Sequence, residues 1–98
     1  MAVYGVLLPL PFDDVFDYTA EEELVLGQLV EVPFGREELV GVVWKKGQSA
    51  NIDPKKIKQI KSVVQLPRLT AEMTAFIRKT AEYNLAPLGM VLKMVLGM

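Results

Sequence analysis

The rhythm of apolar positions changes about two-thirds of the way along the chain, and that change sets the expected architecture. Up to residue 66 the apolar residues come in short runs bounded by proline, glycine and acidic residues, the pattern of β-strands. Ala2 to Leu8 is one such run, closed by Pro9-Leu10-Pro11 because proline cannot donate to a ladder. Asp13 and Asp14 mark a turn, Val15 to Tyr18 makes a short extended piece, and Glu21 to Glu23 is a solvated patch before a turn at Gly27. Gln28 to Phe34 alternates, with Val30, Val32 and Phe34 on one face and Leu29 and Glu31 on the other. Leu39 to Lys45 is the next run, and the short connection Gly35 to Glu38 makes the two an antiparallel hairpin. Gly41 inside that strand predicts a bulge or a close backbone approach. Gly47 to Pro54 is a polar loop, and Ile57 to Leu66 is the last strand, stopped by Pro67.

From Thr70, a candidate N-cap, the spacing becomes three and four. Met73, Phe76, Ile77 and Ala81 share one face, with Glu72, Lys79 and Glu82 on the other, which predicts an amphipathic helix ending near Asn84. A second helix starts at Pro87, where a first helical turn tolerates proline. Its apolar residues, from Leu88 to Met98, run nearly all round, so this helix calls for partners on every side. The expected division is a β-rich unit over 1–66 and a helical extension over 67–98. The fold class is mainly β with two C-terminal helices, a small open β-barrel of about five strands in the OB manner.

Composition narrows the chemistry. With 98 residues, half of them hydrophobic, the chain can bury a modest core without staples. The absence of cysteine and histidine removes thiolate metal sites, disulfides, the commonest general base and any Ser/His or Cys/His nucleophile system. No catalytic residue and no metal ligand set is expected. The longest apolar stretch, Pro87 to Met98, is broken by Lys93 and Gly97 and is too short for a bilayer, so no membrane role and a cytoplasmic location are expected. Net charge is only −1, but it is unevenly spread. Residues 1–34 carry seven acidic side chains and no basic one, while residues 35–98 carry eleven basic and five acidic. Lys55, Lys56, Lys58 and Lys61 crowd into one segment. That asymmetry permits a local phosphate contact without predicting a broad cationic groove.

Two motifs and one lysine could carry a binding function. In Phe16-Asp17-Tyr18 a carboxylate sits between two aromatic rings, which suits base stacking with a hydrogen-bond acceptor alongside. The same residues also serve as core on a short strand with Asp17 capping a turn. In Val32-Pro33-Phe34-Gly35-Arg36, Gly35 allows a positive φ or a close ligand approach, and it equally makes a plain hairpin turn. Lys61, placed on a half-buried strand, can meet a phosphate as a point charge or simply snorkel to solvent. Lys55, Lys56 and Lys58 read as an exposed face, Trp44 as packing and the five methionines as filler.

The order of the motifs is more specific than any one of them. L-P-L-P-F-x-x-x-F-D-Y, then G-Q-L-V-E-V-P-F-G-R, G-V-V and K-S-V-V, followed by a helix ending A-E-Y-N and then P-L-G, resembles the N-terminal domain of the primosomal replication-restart helicases, the PriA family, over essentially the whole chain. The resemblance implies a domain that binds the 3′ end of a nascent DNA strand at a stalled, forked structure with little base preference. It implies that Asp17 accepts the terminal 3′-hydroxyl, Phe16 and Tyr18 shape the pocket, Gly35 offers a backbone contact and Lys61 lies beside the terminal nucleotide. It further implies a parent that is an ATP-dependent 3′-to-5′ DNA helicase, with ATP, magnesium and zinc bound outside this chain. Consistent with that division, the chain has no G-x-x-x-x-G-K-[ST] loop and no cysteine cluster. The expected partners are DNA 3′ ends and the remaining helicase domains, with self-association through the apolar second helix as a substitute. Glu37 and Glu38 in the hairpin turn predict weak affinity for the isolated domain. The rival expectation is an SH3-like scaffold for protein contacts, with the hairpin over 28–45 as its centre.

Overall fold

The computed structural model describes residues 2–12, 14–47 and 57–97. Five strands form one antiparallel sheet in the order β2-β1-β4-β3-β5: β1 Ala2–Leu7, β2 Phe16–Ala20, β3 Leu29–Phe34, β4 Glu37–Lys46 and β5 Ser62–Val63. Two helices follow, α1 Ala71–Asn84 and α2 Leu88–Leu96. The sheet curls into a half-barrel, the small open, OB-like architecture anticipated from the strand pattern.

Alternation along the central strands builds two cores rather than one. Val6, Val30 and Val43 point into the barrel with Tyr4, Leu8, Tyr18 and Val32. Their neighbours Leu7, Leu29 and Val42 point the other way, against Ile77, Ala81, Val91 and Leu92 of the helices. Strands buried on both faces need apolar residues at consecutive positions, which is why these runs read as near-continuous hydrophobic stretches. The helices therefore form a second layer that shares a core with the sheet.

The strand expected over residues 57–66 is not one strand. Only Ser62–Val63 pairs regularly, opposite Glu31 and Val30 of β3. Upstream, Gln59 forms a parallel bridge with Thr19 of β2. The Thr19 amide donates to the Lys58 carbonyl at 3.0 Å and the Ile60 amide to the Thr19 carbonyl at 2.8 Å. Then the Lys61 amide donates to Glu31 and the Val64 amide to Leu29, each at 2.9 Å. One segment thus changes partners within a few residues, and it cannot stay in ladder register with both edges of a curled sheet. Its irregularity draws the two edges towards each other.

Other boundaries moved by small amounts. β2 extends to Ala20, and β4 begins at Glu37, so the hairpin turn is only Gly35-Arg36. Gly35 has φ +62° and Arg36 is not in the left-handed region, the arrangement of a II′ turn. The register shift between β1 and β4 falls at Gly5/Val6, beside Trp44, rather than at Gly41. Gly41 is instead a close approach: an added Cβ would lie 2.6 Å from Val6 Cγ1 and 2.8 Å from the Leu7 carbonyl oxygen. Gly41→Ala is expected to cost about 1–3 kcal/mol by overpacking, read as a lower urea midpoint with unchanged slope.

Thr70 caps α1, accepting at 3.1 Å from the Met73 amide. Of the expected apolar stripe only Ile77 and Ala81 are buried; Met73 and Phe76 are 40% and 63% exposed, because α2 and the sheet meet a narrower face than the spacing offers. Pro87 is the N-cap of α2 rather than part of its first turn. α2 buries Gly89, Val91 and Leu92, and leaves Met94 75% exposed. Trp44 is half-buried against the helical layer, with the Arg78 guanidinium 5.5 Å over its ring. Among the described residues no helix is long and apolar enough to cross a membrane. Asp13, Lys55, Lys56 and most of the expected polar loop lie outside the described residues.

Candidate nucleic-acid interface

The start of β2 and the end of the β3–β4 hairpin are far apart in sequence, yet they face each other at the open side of the barrel. Between them lies a shallow cleft of about 290 Å³, lined by Phe16, Asp17, Tyr18, Pro33, Phe34, Gly35, Ile57 and Lys58. The volume is at the small end of ligand sites, which run from roughly 300 to 1,000 Å³. It suits one compact group rather than a long stretch of polymer.

Period-2 alternation in β2 gives its three site residues different jobs. Tyr18 is buried, and its hydroxyl donates to the Pro33 carbonyl at 2.8 Å, pinning β2 to β3 behind the cleft. Burial pushes the phenol pKa up, so it stays a neutral donor. Phe16 is half-buried and makes an edge-to-face contact with Phe34, ring centroids 5.3 Å apart and planes 78° apart. Phe12, 49% exposed, extends this row against Phe16 at 5.7 Å and 76°. Three phenyl rings in series give an apolar platform on which any base can rest. Asp17 points away from the core and is exposed, and among the described residues its carboxylate accepts no hydrogen bond.

Gly35 supplies the opposite wall. A Cβ at this position would meet nothing within 4 Å, so the glycine is required by its positive φ and not by crowding. The Gly35 amide donates to no acceptor among the described residues. The cleft thus pairs a carboxylate acceptor with a backbone donor, neither of them engaged among the described residues, above an aromatic floor.

Four of the five residues singled out in the sequence, Phe16, Asp17, Tyr18 and Gly35, are brought together here. Lys61 does not line this cleft. Its ammonium donates to Glu38 Oε1 and lies 3.8 Å from Glu31 Oε1 on an exposed surface. The hydrogen bond to Glu38 holds the Lys61 pKa above its ordinary value and pulls the Glu38 carboxyl below its own. A hydrogen bond with Glu38 pushes Glu31 upward. Phe34 was visible in the sequence as part of the turn motif but was not assigned a role. Ile57 carries no local signal, Lys58 reads only as part of an exposed basic face and Phe12 enters only through the ordered motifs; tertiary folding brings Ile57 and Lys58 to the cleft and Phe12 against Phe16.

Comparison with known proteins finds relatives that match along the chain. The chain is 38% identical to the replication restart protein PriA of Rickettsia conorii over its whole length, and 37% identical to that of Rickettsia typhi over 98% of its length. It is 27% identical, over 74% of its length, to the replication restart protein PriA of Buchnera aphidicola. It spans about 15% of the length of the two Rickettsia relatives. The family model of the PriA 3′ DNA-binding domain matches residues 5–97. Such a match runs from within β1 to the residue after α2, and the chain therefore belongs to the 3′ DNA-binding domain family of PriA.

Proposed function

We propose that the cleft between β2 and the β3–β4 turn holds the last nucleotide of a DNA strand by its 3′ end. The observation that carries this is the meeting of Asp17 and Gly35 across one small cleft with no competing partner for either among the described residues. Asp17 accepts a hydrogen bond from the terminal 3′-hydroxyl. A strand that continued past this point, or ended in a phosphate, would put a negative group against the carboxylate. The Gly35 amide donates to the terminal nucleotide, and the base lies on the ring platform of Phe16 and Phe34. None of these contacts reads a base edge, so recognition is of the end and not of the sequence.

The relatives, which are replication restart proteins of which the chain spans about 15%, support a wider role. In that role the domain positions a nascent 3′ end at a stalled fork for a larger protein, and the ATP-dependent 3′-to-5′ helicase activity that the family resemblance implies would reside in other domains. Met94 and Phe76, exposed on the helical layer, offer apolar surface that those domains could cover.

The test is a binding comparison between one short oligonucleotide ending in a 3′-hydroxyl and the same oligonucleotide ending in a 3′-phosphate. The wild-type chain is expected to prefer the hydroxyl by about tenfold, the worth of one hydrogen bond to a charged group. Equal affinity for the two ends would remove Asp17 from the role proposed.

A further inference from the structure

We propose that Lys58, and not Lys61, is the cation that meets the phosphodiester entering the cleft, the one joining the last nucleotide to its predecessor. The inference rests on the end-binding role of the cleft and names the partner that role still lacks. A carboxylate used as the hydroxyl acceptor places negative charge close to a phosphodiester, and the site needs a positive group nearby to offset it. Phe16, Tyr18, Pro33, Phe34 and Gly35 cannot supply one.

Lys58 can. It lines the cleft together with Asp17. Its backbone is fixed there by the Thr19 amide, which donates to the Lys58 carbonyl at 3.0 Å, two residues along the strand from Asp17. The side chain is exposed and makes no ion pair or hydrogen bond among the described residues. Lys61 is placed differently on each count. It borders a separate surface depression with Glu21 and Glu22, and its ammonium is engaged by two carboxylates. To reach a phosphate it would have to leave Glu38 and Glu31, and those two acids would then repel the phosphate it brought in. Lys61 is outnumbered by the carboxylates around it, whereas Lys58 lines the cleft with Asp17 and has no ion-pair partner among the described residues. Two lysines three positions apart in one basic segment are thus given different tasks, one structural and one directed at DNA.

The experiment is the salt dependence of binding of a short 3′-hydroxyl oligothymidylate to the 98-residue chain, from about 50 to 200 mM monovalent salt. For single strands each phosphate neutralised contributes about 0.7 to the log–log slope. Lys58→Ala is expected to reduce the slope by about 0.7, so that its affinity deficit shrinks roughly two- to threefold across that range. Lys58→Arg is expected to restore the slope, because only a positive charge is needed. Lys61→Ala is expected to leave the slope unchanged. Lys58 is exposed, so a matched melting temperature for Lys58→Ala confirms that folding is intact. The 3′-hydroxyl preference is measured in parallel. A wild-type chain without that preference overturns the end-binding role itself. A preserved preference with an unchanged slope in Lys58→Ala, or with the slope lost in Lys61→Ala instead, overturns the Lys58 assignment alone.

Discussion

Gly89→Ala is expected to lower the stability of the domain by about 3 kcal/mol, at the upper end of overpacking costs. Helix propensity alone argues the opposite, since alanine in a helix is favoured over glycine by about 1 kcal/mol. The clash decides the sign. A Cβ at position 89 would stand 1.9 Å from the Leu10 carbonyl oxygen and 2.5 Å from that of Leu8. Neither obstacle is a side chain that can rotate away. The Gly89 amide also donates to the Phe12 carbonyl at 3.1 Å, so the start of α2 is seated directly on the 8–12 segment. That segment carries Phe12 to its contact with Phe16, and it leads into β2. Forcing α2 off it is therefore expected to disturb the aromatic floor of the cleft as well as the helical layer. Thermal unfolding should show a midpoint lower by roughly 10–20 °C for a domain of this size. A midpoint within about 2 °C of wild type would mean that α2 docks more loosely than described.

The second large effect is expected on binding and not on stability. Asp17→Ala should leave the fold intact, because the side chain is exposed and makes no hydrogen bond among the described residues. It should remove the preference for a 3′-hydroxyl, roughly a tenfold loss of affinity for that end. Affinity for a 3′-phosphate should rise or hold, since the repelling carboxylate is gone. Asp17→Asn should fall between, keeping an acceptor oxygen but losing the charge that strengthens the bond. Competition binding with the two end types measures all four quantities. A uniform loss for both ends would point to damage in the cleft and not to a lost acceptor.

How much of this could be read in advance varied with how local the cause was. Alternation and turn glycines marked the β3–β4 hairpin to within two residues, because both the apolar rhythm and the II′ turn are written in adjacent positions. Thr70 was legible as a cap for the same reason. The 57–66 segment was not, since nothing in its own residues says that it must pair first with β2 and then with β3. Likewise Met73 and Phe76 fit the helical stripe perfectly well, but how much of a stripe is covered depends on the width of the surface opposite. The cleft shows the same split. Asp17 and Gly35 stand out by their neighbours, whereas the engagement of Lys61 depends on which carboxylates the folded chain puts beside it. Glu31, from β3, and Glu38, from β4, are distant from Lys61 in sequence, so no spacing rule could pair them with it.

The proposed place of the 3′ end, between Asp17 and Gly35, can be tested residue by residue. The most direct measurement follows the backbone amide resonances of the isotope-labelled chain as a short 3′-hydroxyl oligonucleotide is added. The predicted result is that the largest shifts fall on Phe16, Asp17, Phe34, Gly35 and Lys58, with the Gly35 amide among the strongest because it gains an acceptor. Shifts centred instead on the Trp44 and Arg78 surface or on α2, with Asp17 and Gly35 unmoved, would contradict it.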